Sequence, residues 1–157
     1  MSLVELLTAV AVLGVLAGTS INASRTPLTH QQLLAATRQL ELGIEQARDQ
    51  AMDQQRPCSL GLGEAGWVAP TGGNLPGCSH AVRPLLAADR GAGLQLSHNI
   101  SELQFTANGL VLGGGTVLLA VDGLAQERCV VISLPLGITR RGLWNGGQCL
   151  PAENANS

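Results

Sequence analysis

The first 23 residues, MSLVELLTAVAVLGVLAGTSINA, constrain this chain more than any other stretch. They are apolar or small throughout, apart from Glu5 and the polar Ser2, Thr8, Thr19, Ser20 and Asn22. As a helix they would run roughly 34 Å, enough to cross a bilayer core of about 30 Å. Glu5 is the anomaly, because a carboxylate at mid-membrane costs roughly 2.5–3.5 kcal/mol on insertion scales. A secretory signal peptide needs a basic n-region and an uninterrupted apolar core. Here no Lys or Arg precedes Arg25, and Glu5 breaks the run. An ordinary single-pass anchor fits the hydropathy and leaves Glu5 unexplained. A Glu5 that snorkels to the membrane surface is the remaining plain reading.

Met1-Ser2-Leu3-Val4-Glu5-Leu6-Leu7, followed by Val10-Ala11, Gly14, Leu16-Ala17 and Ile21, resembles the mature N-terminus of type IV pilins and pseudopilins. That superfamily begins with Phe or Met and carries Glu at the fifth position. Asn22 stands where many of its members have Pro, and the first proline here is Pro27. No basic leader ending in Gly precedes Met1, so the chain reads as already processed. The resemblance implies an N-methylated Met1 whose amine pairs with the Glu5 carboxylate of a neighbouring subunit. It also implies a prepilin peptidase, an inner-membrane platform protein and a cytoplasmic assembly ATPase as partners. The expected course is residence in the inner membrane, then assembly into an extracellular, cell-surface filament. Gly14 and Gly18 form a small-xxx-small spacing that permits close helix approach; the same pair also weakens a helix.

The rest of the chain is long enough for one compact domain and not two. Charged residues make up 13% and the net charge is -2, so no broad basic field exists to dedicate the chain to nucleic acid. One Phe, two Trp and no Tyr leave little for stacking on bases or sugars. The even set Cys58, Cys78, Cys129 and Cys149 contains no CxxC, so zinc-ribbon and thioredoxin-like readings lack their signature. Behind a membrane-targeting segment, two disulfides in an oxidising compartment are the better account. Of three connectivities we favour Cys58–Cys78 with Cys129–Cys149. Each closes a loop of about twenty residues, worth roughly 3 kcal/mol in the chain-entropy model.

Along the chain, residues 24–28 read as a polar break or kink, because Pro27 disfavours helical geometry at Thr26. Thr29 with Gln32 fits a capping box. Leu33, Thr37, Leu40, Ile44, Ala47 and Ala51 then recur at spacings of four and three, one helical face. Residues 29–55 are therefore an amphipathic helix whose stripe needs a sheet to cover it. Residues 56–157 form the β-rich domain. Its expected strands are Cys58–Leu62, Trp67–Ala69, Ala81–Leu86, Leu94–His98, Glu102–Thr106 and Leu110–Leu112, the last two joined by an Asn108-Gly109 hairpin signal. Thr116–Val121 and Arg128–Leu134 read as central strands buried on both faces. Ile138–Trp144 is the last strand, and Asn145–Ser157 a polar tail pinned by Cys149. A helical spine followed by antiparallel strands is an α+β fold.

Phe105-Thr106-Ala107-Asn108-Gly109, Gly115-Thr116-Val117, Cys129-Val130-Val131-Ile132-Ser133 and Gly137-Ile138-Thr139-Arg140 are together similar to the GspH/FimT branch of pseudopilins. The closing motif of that branch is G-R-x-R. Ile138 occupies the first Arg position, Arg140 matches the second, and Arg141 adds a charge. In FimT-type minor pilins this motif is linked to DNA capture. Arg128, Arg140 and Arg141 are thus a candidate phosphate-binding patch, against a reading in which they keep a solvated edge from pairing. His30, His80 and His98 share no metal-ligand spacing, and no nucleophile elbow, P-loop or paired-carboxylate motif occurs. Asn22-Ala23-Ser24 and Asn99-Ile100-Ser101 are sequons, too short to carry weight. No enzyme and no cofactor are expected. The expectation is a structural pilin subunit that polymerises through its N-terminal helix, with a low-abundance GspH/FimT-like minor pilin for initiation, secretion or DNA uptake as the alternative.

Overall fold

The structure, a computed structural model, describes residues 4–8, 10–12, 25–85, 93–100 and 102–151. Residues 4–8 and 10–12 are helical. Helix α1 spans Arg25–Asp53, so it starts ahead of the capping box and carries Thr29 inside it. Pro27 explains why this is tolerated: within the first helical turn its missing N–H would have had no partner anyway. Residues 25–28, expected as a break, are thus helical; Ser24 lies outside the described residues. The C-terminus closes with Arg56 N–H donating to the Ala51 carbonyl and Gln55 N–H to that of Met52, both 3.1 Å. Gln55 takes the left-handed position at φ 49°. This is a Schellman-type stop, and Pro57 keeps the helix from resuming.

Among the described residues nine strands follow: β1 Cys58–Gly63, β2 Gly66–Val68, β3 Leu94–His98, β4 Glu102–Phe105, β5 Val111–Leu112, β6 Gly115–Val121, β7 Arg128–Ser133, β8 Ile138–Asn145 and β9 Gln148–Pro151. They form two antiparallel sheets, β2-β1-β4-β5 and β3-β6-β7-β8-β9. Helix α1 packs on β1, β2 and β4 of the first and on β6 and β7 of the second. The whole is an α+β architecture.

Each residue of the expected helical stripe, Leu33, Thr37, Leu40, Ile44, Ala47 and Ala51, is buried in the core. Thr37 is satisfied there by donating its hydroxyl to the Leu33 carbonyl at 2.8 Å. Phe105, at 0% exposure, is the largest fully buried side chain, and Leu60, Leu103, Val117, Leu119 and Val130 surround the same centre.

Three strand expectations need correction. β6 alternates from Thr116 on between half-buried and buried residues, and β7 does so except at Cys129, which is buried on the outer side, so elsewhere only their helix-facing side is core; their apolar runs reflect β propensity as well as burial. Ala81–Leu86 is not a strand: its described part makes one isolated bridge, Gly66 with Pro84, and a proline cannot extend a ladder. The segment after Asn145 is not simply a tail, because Gln148–Pro151 pairs with β8 around a Gly146-Gly147 turn.

Both favoured disulfides are present, Cys58–Cys78 and Cys129–Cys149. The first ties the Pro/Gly-rich loop back to β1, where Ser59 N–H donates to Pro76 O and Cys78 N–H to Ser59 O, both 2.9 Å. The second crosses β8 at Gly142. A β-carbon there would lie 2.9 Å from the Cys149 sulfur, so the position requires glycine.

Candidate functional site

The first candidate is the N-terminal helical segment. Val4, Leu6, Leu7, Val10 and Val12 are each about 60% exposed or more, on every side of the segment. A helix apolar all round is built to be covered by something outside its own domain. Glu5 is the only ionisable side chain among these residues, and Thr8 donates its hydroxyl to the Glu5 carbonyl at 2.9 Å. Met1, Gly14 and Gly18 lie outside the described residues. Among the described residues no helix is both long and apolar enough to cross a membrane.

The second candidate is the arginine cluster, which the fold divides. Arg141 pairs across the sheet with Val130, and Arg140 with Val131. Directly paired residues share a face, and successive residues alternate. Val130 is core, so Arg141 belongs to the helix-facing side and Arg140 to the outer side. Arg128, two positions before Val130, shares the side of Arg141. There Arg141 Nε meets Glu41 Oε1 of α1 at 3.1 Å. With the Arg141 side chain half exposed, the pair contributes no more than about 1 kcal/mol. Arg128 has its Nε buried without a hydrogen-bond partner. Burial first, and then the neighbouring Arg141 charge, hold its guanidinium below the usual arginine range. Two guanidiniums on one side, one of them already on a carboxylate, and a third on the other side do not form one phosphate-binding surface. Period-two alternation of adjacent strand residues would have separated Arg140 from Arg141 on sequence grounds.

The histidines do not converge. His80 N–H donates to Gln50 Oε1 at 2.9 Å, while the His98 ring nitrogen Nδ1 sits 2.7 Å from the Ile100 carbonyl. Among the described residues no three His, Cys, Asp or Glu side chains are grouped to hold a metal ion. An apolar-lined cleft of about 270 Å³ lies beside α1 between Leu42, Gly43, Trp67 and Leu85.

Trp67 and Gly43 are the pair that sequence reasoning missed. Trp67 is 2% exposed and donates its indole N–H to the Leu40 carbonyl at 2.9 Å. A β-carbon at position 43 would fall on its ring, so the absent side chain is what admits the indole to the helix. A glycine in mid-helix was the available signal, since it costs about 1 kcal/mol against alanine.

The family model of type II transport protein GspH matches residues 36–136, more than half of the chain. In structure the chain is similar to the type IV minor pilin FimU of Pseudomonas aeruginosa. The TM-score is 0.50 at 21% identity, over 77% of this chain and 94% of that one. Among curated protein sequences none matches significantly. The chain belongs to the GspH family, within the pilin and pseudopilin superfamily.

Proposed function

We infer that this protein is a filament subunit that joins a type IV pilus-like polymer through its N-terminal helix. The observation that carries the reading is one carboxylate, Glu5, on an outward-facing apolar helical segment joined to a GspH-family domain. In this reading residues 1–23 hold the chain in the inner membrane before assembly, and the β-rich domain lies outside the cytoplasm. Assembly exchanges lipid for identical or related subunits. Glu5 pairs with the Met1 amine of a neighbour, while Gly14 and Gly18 let the helices approach closely. The prepilin peptidase, platform protein and assembly ATPase are the expected machinery. No covalent chemistry is asked of the domain.

Mass spectrometry of filaments sheared from native cells tests this. The expected result is the chain in the filament fraction, beginning at N-methylated Met1. Absence from every filament fraction would overturn the reading. Family membership favours a second form of it, a low-copy minor pilin or pseudopilin that initiates or caps the polymer. Trace abundance in filaments made chiefly of another pilin would select that form.

DNA capture is weakly supported, because the arginines do not share a face. Arg140→Ala with Arg141→Ala is expected to change duplex affinity less than twofold, measured by fluorescence anisotropy at low and moderate salt. A large loss with a shallower salt slope would restore the DNA reading.

A further inference from the structure

The chain has one Phe, two Trp and no Tyr, and the core takes Phe105 and Trp67. Trp144 is the aromatic left over. It is half-buried on β8 and stands outside the core cluster. Cross-strand pairing fixes its side of the sheet. Leu143 beside it is buried on the helix-facing side, opposite Arg128, so Trp144 belongs to the outer side. Ser97 pairs with Leu118, and Val117 and Leu119 on either side of Leu118 are core. Ser97, Thr116 and Leu118 are therefore outer as well. Tryptophan is among the side chains most enriched at binding anchors, and this one has no role in the packing of its own domain.

A cleft of about 250 Å³ lies between Trp144, Leu118, Thr116, Ser97 and Asn99. His98 completes the lining, and its Nδ1 is already taken by the Ile100 carbonyl. Among the described residues the lining holds no Asp, Glu, Lys or Arg. Its polar groups are chiefly two hydroxyls and an amide. The amide is held one way round: Thr116 N–H donates to Asn99 Oδ1 at 2.7 Å, and a backbone N–H can only donate. Asn99 Nδ2 is left with its donors for something else. A β-carbon at position 115 would fall on Asn99 Oδ1, so Gly115 makes room for this contact. Strand β8 lies between β7 and β9, which the Cys129–Cys149 disulfide joins across it, so Trp144 rests on a fixed strand. Groups positioned in advance lose little freedom when a ligand arrives.

We propose that this cleft binds one ring of a neutral saccharide, with Trp144 and Leu118 against its C–H face and Asn99 Nδ2, Ser97 and Thr116 on its hydroxyls. A pyranose joins those two surfaces in one uncharged body. Its C–H groups make an apolar face, and the hydroxyls round its edge each donate and accept. An anion would find no Lys or Arg in the cleft, and a cation no carboxylate. A nucleobase also stacks on an indole. Its phosphates, however, would meet a chain of net charge -2 and a cleft without a basic anchor. The lining side chains belong to one subunit, so the site is complete without assembly and its test is independent of the filament reading.

The test is saturation-transfer NMR on the full chain, purified in a detergent without a sugar headgroup, with cellotriose and chitotriose as probes. Both are β-linked and present C–H groups on the faces of every ring. Saturable binding of about millimolar strength is expected, with the strongest transfer to ring C–H protons. Trp144→Ala should weaken it by about tenfold or more, the usual effect of truncating an aromatic anchor. Trp144→Phe should recover part of that loss. Asn99→Asp keeps the oxygen that accepts from Thr116 N–H and removes the donor. It should weaken binding by about threefold to tenfold while leaving the circular dichroism unchanged, so it decides the matter even if Trp144→Ala disturbs the fold. Leu136→Ala, at an exposed position on the β7–β8 turn, should change nothing. No binding of either trisaccharide at millimolar concentration overturns the proposal, and so does undiminished binding by Trp144→Ala or Asn99→Asp. Tighter binding of oligo(dT) than of both saccharides, lost in Trp144→Ala, would overturn it in favour of a base-stacking site.

Discussion

Glu5→Ala is expected to leave the chain in the membrane fraction and to reduce its recovery in sheared filaments by at least a hundredfold. The segment gains in hydropathy when the carboxylate is removed, so insertion has no reason to suffer. What is lost is the partner of a desolvated amine. Breaking a buried ion pair by deleting one side costs roughly 3–5 kcal/mol, because the other charge stays behind unpaired. At about 1.4 kcal/mol per tenfold, that exceeds two orders of magnitude in an association constant. The chain contains no lysine, so a Met1 amine would be its single primary or N-methylated amine. A carbodiimide cross-link from it to Glu5 of another subunit would report the pairing directly. Wild-type filament yield from the alanine variant would remove this mechanism.

Trp67→Ala should destabilise the domain by about 3–5 kcal/mol, the range for removing a fully buried aromatic. For a chain of this size that is a fall in Tm of roughly 10 °C, followed by circular dichroism of the purified protein. The indole does two jobs here. It fills the space over Gly43, and it gives the Leu40 carbonyl a second donor at 2.9 Å. Gly43→Ala attacks the same contact from the helix and should also destabilise, because the new methyl occupies the ring's place. Its cost is reduced by the better helix propensity of alanine, about 1 kcal/mol. In the Trp67→Ala background the sign should reverse, and Gly43→Ala should stabilise. Additive effects of the two substitutions would mean that they do not share the contact.

These residues mark where sequence reasoning stopped. The buried stripe of α1 was legible because hydrophobic periodicity and burial have one cause, the 3.6-residue repeat against a sheet. Ala36 and Gly43 are buried as well and were not named, since small side chains give periodicity little signal. The capping box at Thr29 was a true local preference that lost to the longer helix. A hydroxyl cap is worth about 1 kcal/mol, and continuing the helix through residues 25–28 outweighs it. The family's closing motif points to Arg140, with Arg141 and Arg128, as one patch, but Arg140 and Arg141 are neighbours on one strand. Along a strand such nearness is what sends neighbours to opposite sides.

The sequence by itself determined the spine-then-strands order and the family, and it favoured, without fixing, the disulfide pairs that the structure holds. Each follows from local patterns: spacing, turn residues, cysteine separation and motif. Only the tertiary structure decided that nine strands divide into two sheets beneath one helix, that Trp67 rests on Gly43, and that Arg140 and Arg141 face apart with Glu41 holding one of them. Those outcomes depend on which distant residues meet. Contact between remote segments is set by the packing of the whole core, which no local window contains.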